Sequence, residues 1–279
     1  MSQIERAGYA TLSRAIGSRR ANWLADVYRD GVRTPAEGVA YRLSARGRRS
    51  RHQLEQLRDR YAGKRCFIIG NGPSLSHTDL GHLRGEYTFG LNRGYLLFDR
   101  IGGPTTFLVA VNRHVIEQFG EELLAAPTLK FLSWRSQRYV PDQEDVVLVR
   151  RSRPRTFSQN VATDGAWEGA TVTYVAMQLA FHLGFHSVIL VGVDHSFTTT
   201  GTPNQLITST ASDLNHFDPG YFGPGVRWQL PDLNMSEVAY QLARDHFEAH
   251  GREIVDATVG GKLTVFPKVN YESVIRYSE

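Results

Sequence analysis

The sequence predicts an α/β fold: a Rossmann-like, doubly wound and mostly parallel sheet with a helical N-terminal extension. Three observations predict it. From residue 63 onward, short apolar runs alternate with longer helix-like stretches. One run, SVILVGVD at 187–194, is apolar without alternation, as a strand covered on both faces must be. The first run ends in Gly70-Asn71-Gly72-Pro73, a tight turn of the kind that leaves a parallel strand.

In chain order, helical periodicity runs over 1–30 and 51–62, with the turn signal DGVRTPAEG between them. KRCFII (64–69) is the first strand. EYTFGLN (86–92), TTFLVAVN (105–112), LKFLSW (129–134) and EDVVLVR (144–150) are the next four. Residues 168–183 form an apolar helix stopped by Gly184. The 187–194 strand is followed by a long polar and aromatic connection over about 196–231, then a helix over 232–250 stopped by Gly251, then a last strand, REIVDAT, at 252–258. Residues 1–62 are thus expected to be a basic helical extension. Residues 63–279 are expected to be a nucleotide-binding catalytic domain with a lid loop at about 196–231.

Composition limits the function classes. The 279 residues are 41% hydrophobic and 22% charged, an ordinary globular balance. No run reaches the length of a membrane span, and the opening lacks a secretory apolar stretch, so a cytoplasmic location is expected. The single cysteine, Cys66, excludes a disulfide framework and a multi-cysteine metal site. The net charge of +4 is uneven: residues 1–60 carry thirteen arginines against six acids, while the remainder is net negative. Such an arginine-rich segment suits peripheral contact with an anionic membrane or glycan, or an oligomer contact. It lacks the aromatic interleaving of RNA-binding segments, so nucleic acid is not an expected partner.

Ligands of such sheets bind beyond the carboxyl ends of the strands. The first three strands end in Gly70-Asn71-Gly72, in Asn92-Arg93 and in Asn112-Arg113. Asparagine offers donors and an acceptor to a nucleobase edge or ribose hydroxyl, and it also tolerates left-handed turns. The first turn departs from the dinucleotide fingerprint, with Leu75 in place of the third glycine. The second strand ends in Asn92 rather than an acid, so a nicotinamide or flavin enzyme is not expected. The glycines Gly70 and Gly72 allow close backbone approach. A helix opening at 73–75, capped by Ser74, would offer N–H groups to a phosphate. Thr171, near the start of the 168–183 helix, joins this nucleotide-binding set. Asp194 closes the strongest strand, where a metal-binding, ribose-binding or base-orienting carboxylate would stand.

In the long connection, His216 is of the type that serves as a general base and Asp218 could orient it. Tyr221 and Arg227 could hold phosphate oxygens. The glycine turn at 259–263 brings Lys262 near the end of the last strand. The sequence holds no H-E-x-x-H, C-x-x-C, G-x-S-x-G or P-loop pattern.

The segments CFIIGNGPSL, TFGLNRGYLLF, WEGATVTYVAMQLAFHLGF, VILVGVDHSF, NHFDPGYFG, RWQLPDL and ATVGGKLTVFPKVNY together resemble the 6-hydroxymethylpterin diphosphokinase MptE-like family over about 62–273. More distantly, the chain is similar to the bacterial sialyltransferases of glycosyltransferase family 42. These share the strand–GNGPSL turn, the asparagine ending the second strand and a strand ending Gly-x-Asp. That second resemblance implies that Asn71, Gly72 and Asn92 contact a CMP-sugar and that Asp194 lies beside the nucleotide. This chain departs from it at Ser196, where that family has a tyrosine, and at Pro224, where its catalytic histidine would follow Tyr-x-Gly.

The expected activity is therefore glycosyl transfer from a CMP-activated sialic-acid-like or Kdo-like donor to a glycan or small-molecule acceptor, with no cofactor required. The alternatives are an ATP-dependent diphosphokinase, with Mg²⁺ on Asp194 and Arg93 or Lys262 clamping the transferred group, and a non-catalytic nucleotide-binding protein.

Overall fold

The computed structural model describes residues 34–152 and 155–275. The helical stretch expected over 1–30 lies outside the described residues. Two helices, α1 (Thr34–Leu43) and α2 (Ala45–Leu57), come first. The strands follow as β1 (Arg65–Ile69), β2 (Thr88–Leu91), β3 (Phe107–Ala110), β4 (Leu129–Ser133) and β5 (Val146–Val149), with short α3 (Phe98–Ile101) and longer α4 (Arg113–Ala125) between them. Then come α5 (Val161–Asp164), α6 (Val172–His182), β6 (Ser187–Val191), β7 (Leu206–Thr208), β8 (Arg227–Gln229), α7 (Leu233–Ala249), β9 (Glu253–Asp256) and α8 (Tyr271–Ile275).

Seven strands form one parallel sheet in the order β5-β4-β3-β2-β1-β6-β9, and all seven strands expected from the sequence are in it. The β7–β8 pair is a separate antiparallel ribbon within the long connection. β1 through β5 run outward in one direction, and β6 then returns to the other side of β1. The order therefore reverses between β1 and β6, where Ile69 pairs with Val191. That switch point opens a crevice at the carboxyl ends of both strands.

Burial explains why the strands were readable. β2, β3 and β5 are buried at every position, and β1 and β6 at all but the first. Helix α6 packs on one face of the sheet and is buried over nearly its whole length. α4 and the aromatic part of the long connection belong to the cluster on the other face.

Two local expectations are corrected. The segment read as a turn at 30–38 folds from Thr34 as α1, because Pro35 in the first helical turn gives up an N–H that has no partner there anyway. The helix expected after Gly72 is a single 3₁₀ stretch, Pro73–His77, without a side-chain cap, because the Ser74 hydroxyl donates elsewhere. The described part of the N-terminal segment shares the main core: Tyr41, Leu54 and Leu57 are buried with the sheet's own residues.

Candidate functional site

One cavity of about 1370 Å³ lies at the carboxyl ends of the strands, roofed by the long connection. Gly70, Asn71, Gly72, Asn92, Asn112 and Asp194 line it, as do Thr171 and His216. Ser74, Arg93, Asp218, Tyr221 and Arg227 do not line it. Five non-glycine residues among those described hold a left-handed φ, and four of them, Asn92, Ala170, His195 and Asn204, line this cavity. Strained backbone of this kind persists where surrounding structure enforces it, and it concentrates at functional sites.

The β1 turn is locked against the end of β6. Gly70 N–H donates to the Val191 carbonyl at 2.7 Å and Gly72 N–H to the Gly192 carbonyl at 2.9 Å. Asp194 Oδ1 accepts from the Ser74 N–H at 3.0 Å and Oδ2 from the Ser74 hydroxyl at 2.7 Å. Burial pushes the Asp194 carboxyl above its usual range, against the pull of those two Ser74 bonds. A Cβ on Gly70 would stand 2.2 Å from the Gly192 carbonyl oxygen, and one on Gly72 would stand 1.7 Å from Asp194 Oδ2. Gly70 is therefore required by the approach of the chain after β6, and Gly72 by the approach of the Asp194 carboxylate. Leu75 N–H is taken by the Gly72 carbonyl, and Pro73 has none to give. Residues 73–75 thus hold no spare N–H for a phosphate, which corrects the cradle expected there.

The asparagines separate into two kinds. Asn112 Oδ1 accepts from His114 N–H at 2.8 Å and caps α4. Asn71 Nδ2 donates to the Leu91 carbonyl at 3.1 Å, which fixes the amide so that Oδ1 faces the other way. Asn71 Oδ1 is buried without a hydrogen-bond partner, and so is Asn92 Oδ1. Buried acceptors left open in this way are uncommon, and each costs about 1–3 kcal/mol until a donor arrives. Thr171 is a helix cap, its hydroxyl oxygen accepting from Thr173 N–H at 3.3 Å at the start of α6.

His216 carries a carboxylate partner, but it is Asp213 and not Asp218. Asp213 Oδ2 lies 2.6 Å from His216 Nδ1 and accepts from the Phe222 N–H at 3.1 Å, while Oδ1 accepts from Asn215 N–H at 2.8 Å. Burial pushes the Asp213 carboxyl up, but the hydrogen bond and charge of His216 and the two N–H groups outweigh it, so the net shift is downward. Asp218 instead accepts from Gly220 N–H at 2.7 Å and shapes the turn. The His216 ring stacks on Tyr221 at 4.2 Å between centroids.

Tyr221 and Arg93 are engaged within the protein itself. The Tyr221 hydroxyl is fully buried and accepts from Arg93 N–H at 3.3 Å, and burial pushes its phenol up. The Arg93 guanidinium donates to the Gly220 and Tyr221 carbonyls and lies 3.9 Å over the Phe119 ring. Arg227 pairs through its backbone with Gln118 on α4, donating to Oε1 and accepting from Nε2. Phe217 N–H donates to the Asn71 carbonyl at 3.0 Å. The connection is thus stitched to the body at β1, β2 and α4.

Three features of the site were not expected from the sequence. One is Asp213 itself. Another is His195, which lies next to Asp194 and whose Nε2 is 2.9 Å from Glu237 Oε1. The third is a set of arginines at the ends of β3 to β5, including Arg113, Arg135, Arg138 and Arg151. Their signal was present: a basic residue follows closely on each of those three strands. Lys262 N–H donates to the Asp194 carbonyl and closes the same corner from the C-terminal side.

Among the described residues, no helix is long and apolar enough to cross a membrane, and no group of three or more His, Cys, Asp or Glu side chains is arranged to hold a metal ion. No family model matches the chain, and no curated protein matches it. Among solved structures, the MAf glycosyltransferase from Magnetospirillum magneticum AMB-1 is similar, at 16% identity and a TM-score of 0.45; the likeness covers 83% of this chain and 39% of that one. The chain spans about two fifths of the length of the structure it is similar to. The resemblance to the MptE-like family therefore rests on the sequence motifs.

Proposed function

We propose that the chain is a glycosyltransferase using a CMP-activated sialic-acid-like or Kdo-like sugar. One observation carries this reading. A single cavity at the sheet's switch point holds two buried, open amide oxygens, on Asn71 and Asn92, together with a histidine backed by a buried carboxylate. The open acceptors call for an N–H or O–H donor, which a cytosine amino group or a ribose hydroxyl supplies. The distant resemblance of the sequence motifs to family 42 sialyltransferases implies the same two asparagines as donor contacts.

The chemistry follows from His216. Asp213 holds Nδ1, and the ring leaves Nε2 for the acceptor. Nε2 takes the proton of an acceptor hydroxyl as that oxygen bonds to the anomeric carbon. The bond from that carbon to the phosphate oxygen breaks, and CMP leaves with the electron pair. Asp213 stabilises the imidazolium so formed.

The diphosphokinase alternative asks Asp194 to hold Mg²⁺, yet both Asp194 oxygens already accept from Ser74. That observation ranks it second. A non-catalytic nucleotide-binding protein would need the Asp213–His216 pair only for stability, so it ranks below the transferase.

Thermal shift with CMP, and with ATP and Mg²⁺, separates the readings, since a ligand at 100 times its Kd adds about 2.7 kcal/mol. CMP is expected to stabilise without metal. Stabilisation by ATP only with magnesium would replace this reading with the diphosphokinase. The His216→Ala variant is expected to keep CMP binding while release of CMP from a CMP-sugar falls at least about a hundredfold. An active variant would remove His216 as the base.

A further inference from the structure

The cavity is electrically lopsided. Three carboxylates line it, Glu168 just before α6, Asp194 by β6 and Asp232 before α7; Asp194 accepts from Ser74, and Asp232 from Met235 N–H and Asn204 Nδ2. The cavity's arginines stand beyond the ends of β3, β4 and β5, with Arg46 reaching in from α2. Two of them are struts. Arg135 Nε donates to Glu37 Oε2 at 2.6 Å, and Arg46 donates to the Gln137 and Val140 carbonyls.

Arg113 and Arg138 are arranged differently. They come from separate elements and converge on a single atom, the Tyr139 hydroxyl oxygen, at 2.8 and 2.7 Å. Both guanidinium groups also lie against the Tyr139 ring, at 5.6 and 4.7 Å from its centroid. The Glu117 carboxylate stands 3.7 Å from Arg113 Nε, which is buried and makes no hydrogen bond. Among the described residues, no ion pair reaches Arg138. Two cations thus meet on one phenol oxygen with a single carboxylate, Glu117, beside Arg113, and an oxyanion would offset the remaining positive charge with charge-assisted bonds.

Position suggests which substrate brings the anion. Arg113 and Arg138 follow β3 and β4, whereas Asn71 and Asn92 follow β1 and β2, so one to three strands, about 5 to 14 Å at the usual strand spacing, separate the two sets. The connection that carries His216 is anchored first at Asn71, then at Arg93, then at Gln118 on α4. The arginine pair therefore lies on the β3–β4 side of the cavity, away from Asn71, where His216's neighbour Phe217 is bonded.

We infer that Arg113 and Arg138 form a subsite for an oxyanion on the acceptor, a carboxylate or phosphate borne by a sugar. The inference rests on the glycosyl-transfer reading for the word acceptor and on the arginine geometry for the anion. Glucuronate and glucose 6-phosphate are the probes, with glucose as the neutral control and CMP titrated separately. Binding is measured by isothermal titration on the full chain, on Arg138→Gln and on Arg113→Gln/Arg138→Gln.

The expected result is that at least one anionic sugar binds, glucose does not, and the double variant loses about tenfold or more in anion affinity with CMP affinity unchanged. The preferred probe distinguishes carboxylate from phosphate. Arg138 is exposed at the cavity rim, so the single variant is expected to fold and should show a smaller loss of the same kind. Equal anion binding by wild type and variants, or glucose binding as tightly as its charged relatives, overturns the subsite. A parallel loss of CMP affinity assigns the pair to the donor phosphate and overturns the acceptor assignment. If CMP fails to bind wild type while the anionic sugars bind through the arginines, the donor reading falls and the oxyanion subsite stands.

Discussion

Asp213 shows how one buried carboxylate can set the behaviour of the site. Its carboxyl is held below the usual range although burial acts against it, because His216 and two N–H groups together outweigh the desolvation. An aspartate depressed in the folded state stabilises the fold fully above its unfolded value of about 3.9, and this contribution disappears as pH falls through the lower folded value. Asp213→Asn is therefore expected to lower Tm at neutral pH and to narrow the gap from wild type below about pH 4. Parallel Tm profiles from pH 7 to acid would show that the pair contributes no pH-linked stability. The sequence displayed His216 and the asparagines openly, since their types and strand-end positions carry the signal. It could not choose Asp213 over Asp218, because carboxylates three residues before and two residues after a loop histidine look alike until the turn is closed. The Asp218–Gly220 bond and the Phe222 N–H on Asp213 make that choice.

At the scale of the element, the β1 turn and the end of β6 act as one unit. Continuous burial made both strands legible, and the glycines between them read correctly as a place of close approach. What approaches is the β6 chain, not a phosphate, and no residue pattern distinguishes these two uses of a glycine. Gly72→Ala would drive its methyl group into Asp194 Oδ2 and bring it to 2.9 Å from the Gly192 carbonyl oxygen. It is expected to cost about 3 kcal/mol, measured by denaturant unfolding. Because the nearest clash is with the carboxylate, Asp194→Ala in the same chain should recover part of that loss, giving a non-additive double-mutant cycle. Strict additivity would mean that the Gly192 carbonyl alone limits the turn. The helix α1 was missed for a local reason: Pro35 and Gly38 are turn residues by type, and only the packing of Tyr41 and Gly38 against β5 and its following residues makes the segment helical.

For the whole molecule, the N-terminal helices finish the sheet. β5 is an edge strand, and an edge presents unpaired N–H and C=O groups that invite a second chain. At Leu148 both groups are taken by side chains. The Ser50 hydroxyl on α2 accepts from its N–H at 3.0 Å, and the Tyr41 hydroxyl on α1 donates to its carbonyl at 2.8 Å. The arginines between them clamp the β4–β5 connection, Arg46 on its carbonyls and Arg49 on Asp142 and the Gln143 carbonyl. A basic run that reads as a solvated face is thus partly committed to the fold. The same connection follows the turn that carries Arg138 and Tyr139, so the edge cover and the anion end of the cavity share one support. Ser50→Ala and Tyr41→Phe each strip one partner from a buried backbone group, and each is expected to cost about 1–3 kcal/mol in denaturant unfolding. Because the two substitutions expose opposite groups of one residue on an edge strand, the double variant should also self-associate at high concentration, seen as a rising sedimentation coefficient. Stability within about 0.5 kcal/mol of wild type, with no association, would mean that the edge is protected by bulk alone and not by these two bonds.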